Sequence, residues 1–311
     1  MSGVMTTSLD VEALRKTHYN ATIGYVRRVN NELMVFRVQP EFPLPAYKAG
    51  QYTSLGLGYW EPRLEGCQLE ELTAAQERQL VKRAYSISSS ILGDDGRLLR
   101  PEDENFLEFY VVLVREAERR PPALTPRLFA LEEGSRLFVT EKITGHYTLD
   151  PLKEGDTALF LSTGTGEAPH NKMTLELLRR CHTGTICSVV CVRYQKDLAY
   201  LAVHEELQQR YSGYRYIALT TREEWNRGQK LYIQDLITSG KLEEQMGRPL
   251  DPATTHVFLC GNPKMIGVPQ KQKDGSRAYP EPTGVIEILE KRGFRADQPR
   301  NPGNVHFEEY W

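Results

Sequence analysis

From Thr157 onward the chain alternates strand-like and helix-like segments, and no other feature narrows the possible folds as much. TALFLST (157–163) runs into a glycine turn, and a helical stretch around NKMTLELLRRC follows. Next come a strand TICSVVCV, a helix around AYLAVHEELQQRY, a strand YRYIALT, a helix YIQDLITSGKLEEQM, a strand THVFLCG and a helical VIEILEKRG. Strands that alternate with helices must be joined by crossover connections, so the expectation is a parallel, doubly wound α/β sheet. The first half follows a different pattern. TIGYVRRVN, LMVFRVQP, QYTSLGL, RAYSISS, FLEFYVVLV and RLFVTEKI are short and rich in β-branched and aromatic residues, with Gly, Pro and Asn between many of them. That spacing predicts a small antiparallel β-barrel or sandwich.

At 311 residues, about twice a typical domain, the chain accommodates two such units. We place the division near residues 150–155, giving a β domain at 1–150, with 1–16 as an N-terminal extension, and an α/β domain at 151–311. Three stretches read as loop insertions: 58–79, partly helical by composition, 117–126 and 268–283.

Composition excludes some classes of function. A formal net charge of -2, from 39 Lys+Arg against 41 Asp+Glu, offers no global attraction to nucleic acid or to an anionic membrane. No apolar run reaches the roughly 20 residues of a membrane helix, and MSGVMTTSLD lacks the form of a signal peptide, so a cytoplasmic location without membrane insertion is expected. The five cysteines (Cys67, Cys181, Cys187, Cys191, Cys260) contain no CxxC pair, which argues against a disulfide framework or a zinc site.

Motifs cluster at one predicted edge. In STGTGEAPH (162–170), Gly164 and Gly166 follow an apolar strand and precede a helix, the arrangement that lets backbone amides and a helix N-terminus meet an oxyanion. Glu167 complicates this, because a carboxylate beside a phosphate is repulsive unless it points away. FLCGNPKM (258–265) is a second strand ending in a glycine turn, and two such turns on one edge suggest a ligand crevice where strand order reverses. Arg193, Arg222, Lys230 and Tyr232 follow neighbouring strands of that sheet. Arginines can grip a phosphate and tyrosine can stack on adenine, so together they point to a 2'-phosphorylated nucleotide. The chain finishes VHFEEYW, whose two terminal aromatics call for a flat apolar surface.

RAYS (83–86), STGTGEAP (162–169), the arginines with KLYIQ, CGNPKM (260–265) and the terminal EEYW occur in an order that resembles the ferredoxin (flavodoxin)-NADP reductase family, bacterial type. The resemblance covers roughly residues 17–311 and implies an FAD-binding barrel followed by an NADP-binding α/β half. It implies that Arg83 pairs with the FAD pyrophosphate, Tyr85 packs on the flavin, and the Ser86 hydroxyl lies by flavin N5. The strand YVVLV (110–114), with Tyr110 and Val112, would lend backbone groups to FAD, and Thr125 in LTPRL would begin a second phosphate-holding segment. Thr163, Gly164 and Gly166 would take the NADP pyrophosphate, while Arg193, Arg222, Lys230 and Tyr232 would take the 2'-phosphate and adenine. Cys260 would sit near the nicotinamide with Glu308 as the nearby carboxylate. Tyr310 would stack on the flavin as part of a mobile tail, and Trp311 would cover the FAD adenine.

The implied activity is hydride transfer between NADPH and FAD, coupled to one-electron exchange with an acidic carrier, ferredoxin or flavodoxin. Arg27, Arg28, Lys82, Arg119 and Arg120 are candidates for docking it. Two readings stay open beside this one: a flavin reductase component serving an oxygenase or haem protein, and a flavin-binding redox sensor without turnover. Glu167, His170 and the insertions depart from the family pattern.

Overall fold

The computed structural model describes residues 9–310 apart from 227, 274, 275 and 299. A helix α1 (Val11–His18), capped by the Asp10 side chain on the Ala13 amide, precedes the first strand. The extension expected at the N-terminus is therefore partly a docked helix, held by Arg15, which grips Glu61 from two guanidinium nitrogens at 2.9 and 2.7 Å.

Six strands follow: β1 (Ala21–Asn30), β2 (Leu33–Pro40), β3 (Tyr52–Gly58), β4 (Leu80–Ser86), β5 (Leu107–Val112) and β6 (Arg136–Val139). They form an antiparallel sheet in the order β4-β3-β6-β1-β2-β5. An antiparallel bridge from Ser88, just past β4, to Glu108 in β5 joins the two edges, so the sheet curls into a barrel. Its core is built from Phe36, Leu55, Leu57, Phe109 and Val139, all at or near zero exposure. A short helix α2 (Thr125–Leu128) packs beneath it.

The 58–79 segment has little of the helix its composition suggests: it holds one turn, Gln76–Arg78. Tertiary contacts override local propensity here. Glu70 is drawn into a buried ion pair with Arg127 at 2.7 Å, and Arg63 donates to the carbonyls of Gln68 and Pro122, so the segment is laid flat along the barrel.

The second half contains β7 (Thr157–Thr163), α3 (Glu167–Arg179), β8 (Ile186–Val192), α4 (Leu201–Arg210), β9 (Tyr214–Thr220), α5 (Ile233–Thr238), α6 (Lys241–Met246) and β10 (Thr255–Gly261). After these come α7 (Pro263–Ile266), a small hairpin β11 (Gln270–Lys271) and β12 (Arg277–Ala278), α8 (Val285–Glu290) and β13 (Val305–Glu309). The five-stranded sheet is parallel throughout, ordered β13-β10-β7-β8-β9. Every residue of β8 is buried, as both faces of a helix-covered parallel sheet require.

One expectation for this half needs correction. The single helix read across 232–246 is broken at Gly240, whose left-handed backbone (φ 76°) ends α5 and starts α6. VHFEE, unassigned from sequence, forms the edge strand β13, paired in parallel with β10 from Val257–Val305 to Gly261–Glu309. The 268–283 insertion carries the hairpin, pinned to α8 because Arg277 and Tyr279 both donate to Glu290.

Candidate functional site

Sequence order reverses between β7 and β10: β8 and β9 extend the sheet on one side of β7, and β10 and β13 on the other. At such a switch point the loops leaving two neighbouring strands diverge and open a crevice at their carboxyl ends. A cleft of about 1350 Å³ lies there, lined by Thr163, Gly164 and Thr165 after β7, Arg193 after β8, Gly261 to Met265 after β10, and Tyr310. Leu33 and Val112 of the barrel form its opposite wall.

The two glycines of the β7 loop differ in purpose. Gly164 adopts φ 53°, and nothing lies within 4 Å of where a Cβ would stand, so its backbone faces open cleft. A Cβ on Gly166 would instead lie 2.3 Å from the Cys260 carbonyl oxygen. Gly166 is therefore needed for the β7 and β10 loops to pack, and Gly164 is the one that offers close approach to a ligand. Thr163 ties the loops together, its Oγ1 accepting the Asn262 amide at 2.8 Å. Glu167 turns away from the cleft: its buried Oε1 lies 3.0 Å from His204 Nε2 and accepts from the Tyr216 hydroxyl at 3.2 Å. His170 faces the same interior, 2.7 Å from the Tyr147 hydroxyl, and burial lowers its pKa to about 3.

At the far side of the sheet, the Arg222 amide donates to the Arg193 carbonyl at 2.8 Å, which brings the two arginines side by side. Arg193 is already engaged, with Nη2 2.6 Å from Glu32 of the barrel and Nε 4.0 Å from Asp197. Arg222 and Lys230 are exposed. Tyr232 lines the cleft and begins α5, its amide capped by Asp235 at 2.9 Å, with 45% of its surface exposed.

The barrel contributes the end of β4. Ser86 donates to Glu308 Oε2 at 2.8 Å, and burial pushes the Glu308 carboxyl above its usual range while the serine bond opposes the shift. Cys260 pairs in register with Glu308 and is completely buried, which raises its thiol pKa well above normal. Tyr310 continues from β13 with its amide on the Gly261 carbonyl at 2.9 Å and its ring at the cleft wall. Ser86, Cys260, Glu308 and Tyr310 are thus brought to one place. The strand β13 runs through Glu309, so the aromatic tail expected to move begins at Tyr310, and Trp311 lies outside the described residues.

The remaining barrel residues vary. Tyr85 packs edge-on to Phe109 at 6.5 Å. The exposed Arg83 reaches only the Lys82 carbonyl, leaving its guanidinium without an acidic partner among the described residues. The Tyr110 side chain crosses to the second half, donating to the Asp197 carbonyl at 2.9 Å, and Val112 lines the cleft. Thr125 Oγ1 accepts the Val114 amide at 3.1 Å, so that hydroxyl is already committed to the loop. Among the docking candidates, Arg28 is occupied by the carbonyls of Phe129 and Leu131, Lys82 lies over the Phe138 ring, and Arg119 and Arg120 are exposed.

Sequence reasoning passed over Glu32 and Asp197, and it quoted Asn262 and Lys264 only within the CGNPKM turn, without a role of their own. Glu32 meets Arg193 across 161 residues, and no local pattern announces such a pairing. Asn262 had a signal: an Asn directly before Pro at a strand end is a common helix cap, and here its side chain takes the Lys264 amide at 2.9 Å.

Comparison with known proteins agrees with this geometry. Residues 160–271 match the family described as oxidoreductase NAD-binding domain. The flavodoxin/ferredoxin-NADP reductase of Escherichia coli K12 is 32% identical over 246 residues, covering 78% of this chain and 86% of the relative. The ferredoxin-NADP reductase of Pseudomonas aeruginosa is 31% identical over 258 residues, covering 80% and 86%. Among solved structures, a ferredoxin NADP+ reductase from Neisseria gonorrhoeae with bound FAD and NADP superposes with a TM-score of 0.69 at 21% identity, covering 94% of this chain and 98% of that one.

Proposed function

Since the chain belongs to the flavodoxin/ferredoxin-NADP reductase family, and so to the NADP-dependent flavoprotein oxidoreductases, we propose that it exchanges electrons between NADPH and a small acidic carrier protein, ferredoxin or flavodoxin, through FAD. The observation that carries this reading is the meeting of Ser86, Cys260 and Glu308 behind Tyr310, which lines the same cleft as the open Gly164 turn. Residues 1–150 are taken as the FAD-holding part and 151–311 as the NADP-holding part.

The residues present fit both cofactors. Gly164 leaves room for a phosphate against backbone amides, and Arg83 is a guanidinium with no carboxylate of its own. Arg83, Tyr85, Ser86, Thr125 and the Tyr110–Val112 backbone would hold FAD. Thr163, Gly164 and Gly166 would take the NADP pyrophosphate, with Gly166 acting by letting the loops close up. Arg193, Arg222, Lys230 and Tyr232 would recognise the adenosine 2'-phosphate and adenine. FAD, when bound, accepts two electrons as hydride and releases them singly.

The chain itself supplies binding, orientation and exclusion of water. Of Ser86, Cys260, Glu308 and Tyr310, the tyrosine alone is in the cleft lining, with Ser86 and Cys260 buried and Glu308 half-buried behind it, and the tyrosine ring would have to shift to admit a nicotinamide. Because β13 is paired with β10 as far as Glu309, that movement would belong to the last residues rather than to the whole segment. Glu308 and Ser86 form a hydrogen-bonded pair able to hold or pass a proton at the Ser86 hydroxyl. Carrier docking would use exposed cations such as Lys82, Arg119 and Arg120, and should weaken with salt.

The test is an anaerobic titration of the purified protein with NADPH and with NADH in parallel, following the flavin absorption bands. Fast bleaching by NADPH and much slower bleaching by NADH are expected. Absence of flavin bands, or bands that neither coenzyme bleaches, would remove the reading.

A further inference from the structure

Four described cations line the cleft: Arg193, Lys264, Lys291 and Arg292. Three of them are neutralised within the protein. Arg193 pairs with Glu32 at 2.6 Å, Lys291 with Glu287 at 2.6 Å, and Arg292 with Glu243 at 2.5 Å while also donating to the Ile237 carbonyl. Lys264 has no acidic partner among the described residues; its amide donates to the Asn262 side chain at 2.9 Å. That cap holds the lysine on the first turn after β10. Asn262 is in turn tied to Thr163 Oγ1 at 2.8 Å, so the lysine backbone is anchored to the strand end that carries the open Gly164 turn.

Lys264 is exposed to solvent, so its ammonium is free to meet an anion in the cleft whose lining it shares with the Gly164 turn, and the sheet order indicates which anion. β10 adjoins β7, whereas Arg222 follows β9, three strand spacings away. At about 4.8 Å per strand, that is roughly 14 Å from the lysine's strand. One phosphate group cannot span the two. We propose that Lys264 is the counter-charge for the coenzyme pyrophosphate seated on the Gly164 turn, separate from the 2'-phosphate group of residues at the β8 and β9 ends. The inference rests on the coenzyme reading above and adds a binding residue to it.

The experiment measures dissociation constants of NADP+ and of 2'-AMP, which carries the 2'-phosphate and no pyrophosphate, on the flavin-loaded protein and on its Lys264→Ala and Lys264→Arg variants. Lys264→Ala should weaken NADP+ about tenfold, as the loss of one charge-assisted hydrogen bond does. It should leave 2'-AMP within about twofold, and Lys264→Arg should recover most of the NADP+ loss. Unchanged NADP+ binding in Lys264→Ala overturns the assignment. Equal weakening of both ligands also overturns it, because it would mean a 2'-phosphate contact or a general disturbance of the loop. If the unaltered protein binds neither ligand, the coenzyme reading itself fails, an outcome distinct from a lysine without effect.

Discussion

The hydroxyl of Ser86, at the end of a barrel strand, donates to Glu308 of the edge strand β13 at 2.8 Å, joining two residues 222 positions apart. This bond spans the two halves where a barrel strand, the sheet edge and the cleft wall meet. Cys260, the register partner of Glu308 on β10, lies sealed behind it.

Replacing Ser86 with Ala should slow reduction of the bound flavin by about 10²-fold, the low end of what a positioned proton-bearing group contributes, with little change in coenzyme affinity. Stopped-flow bleaching by NADPH checks this. Glu308 also has a stability signature. Its carboxyl pKa is raised in the folded state, so between the unfolded value and the raised one the folded protein binds more protons, and stability falls as pH rises through that window. Glu308→Gln should remove that decline, read as denaturation midpoints against pH. A variant with the wild-type slope would mean that Glu308 does not titrate abnormally.

Glu32 competes with any phosphate for Arg193. The pair is about 43% exposed, and such surface pairs are worth roughly 1 kcal/mol or less. Glu32→Gln should therefore tighten NADP+ severalfold, up to about fivefold, without changing the flavin spectrum. Calorimetric titration decides this, and unaltered or weaker binding would count against Arg193 as a coenzyme contact.

Arg222 stands beside Arg193 and is exposed without a carboxylate partner among the described residues. Arg222→Ala should raise KM for NADPH about tenfold or more, the cost of a lost charge-assisted contact, and leave KM for NADH nearly unchanged. Equal effects on the two coenzymes would strip Arg222 of its 2'-phosphate role.

His170 is buried and neutral, with a pKa lowered to about 3 against an ordinary 6.5. The unfolded chain therefore binds more protons between those values, so stability is lost as pH falls through that range, with a slope approaching about 1.4 kcal/mol per pH unit for one such group. His170→Asn should flatten the acid limb of the stability profile relative to wild type, whatever it does to stability at neutral pH. An identical acid limb in both proteins would show that His170 takes up no extra proton on unfolding.

Much of the architecture was readable because it rests on short-range patterns. The alternating apolar strands, the glycine turn after TALFLST and the CGNP turn after THVFLC are local, and each element lies where its pattern places it. Most of what escaped reading depended on distant partners. The 58–79 segment has helical composition, yet Glu70 is claimed by a buried arginine 57 positions away. VHFEE has no strong strand signal of its own and becomes a strand because β10 offers a free parallel edge. The helix across 232–246 was misread for a local reason, Gly240, where a left-handed turn is inexpensive and a helix is not.

The candidate site divides in the same way. Periodicity and turn chemistry alone determined that this chain has a β half and a parallel α/β half, and the order of its motifs marked the family. Tertiary structure decided which side chains are free to act: Arg193 is answered by Glu32, Thr125 by Val114, and Glu167 by His204, while Lys264 and Arg222 are left without acidic partners among the described residues. A residue's type states what it can bind. Whether it is already bound depends on which charges the fold sets beside it, and those come from parts of the chain that sequence distance does not connect.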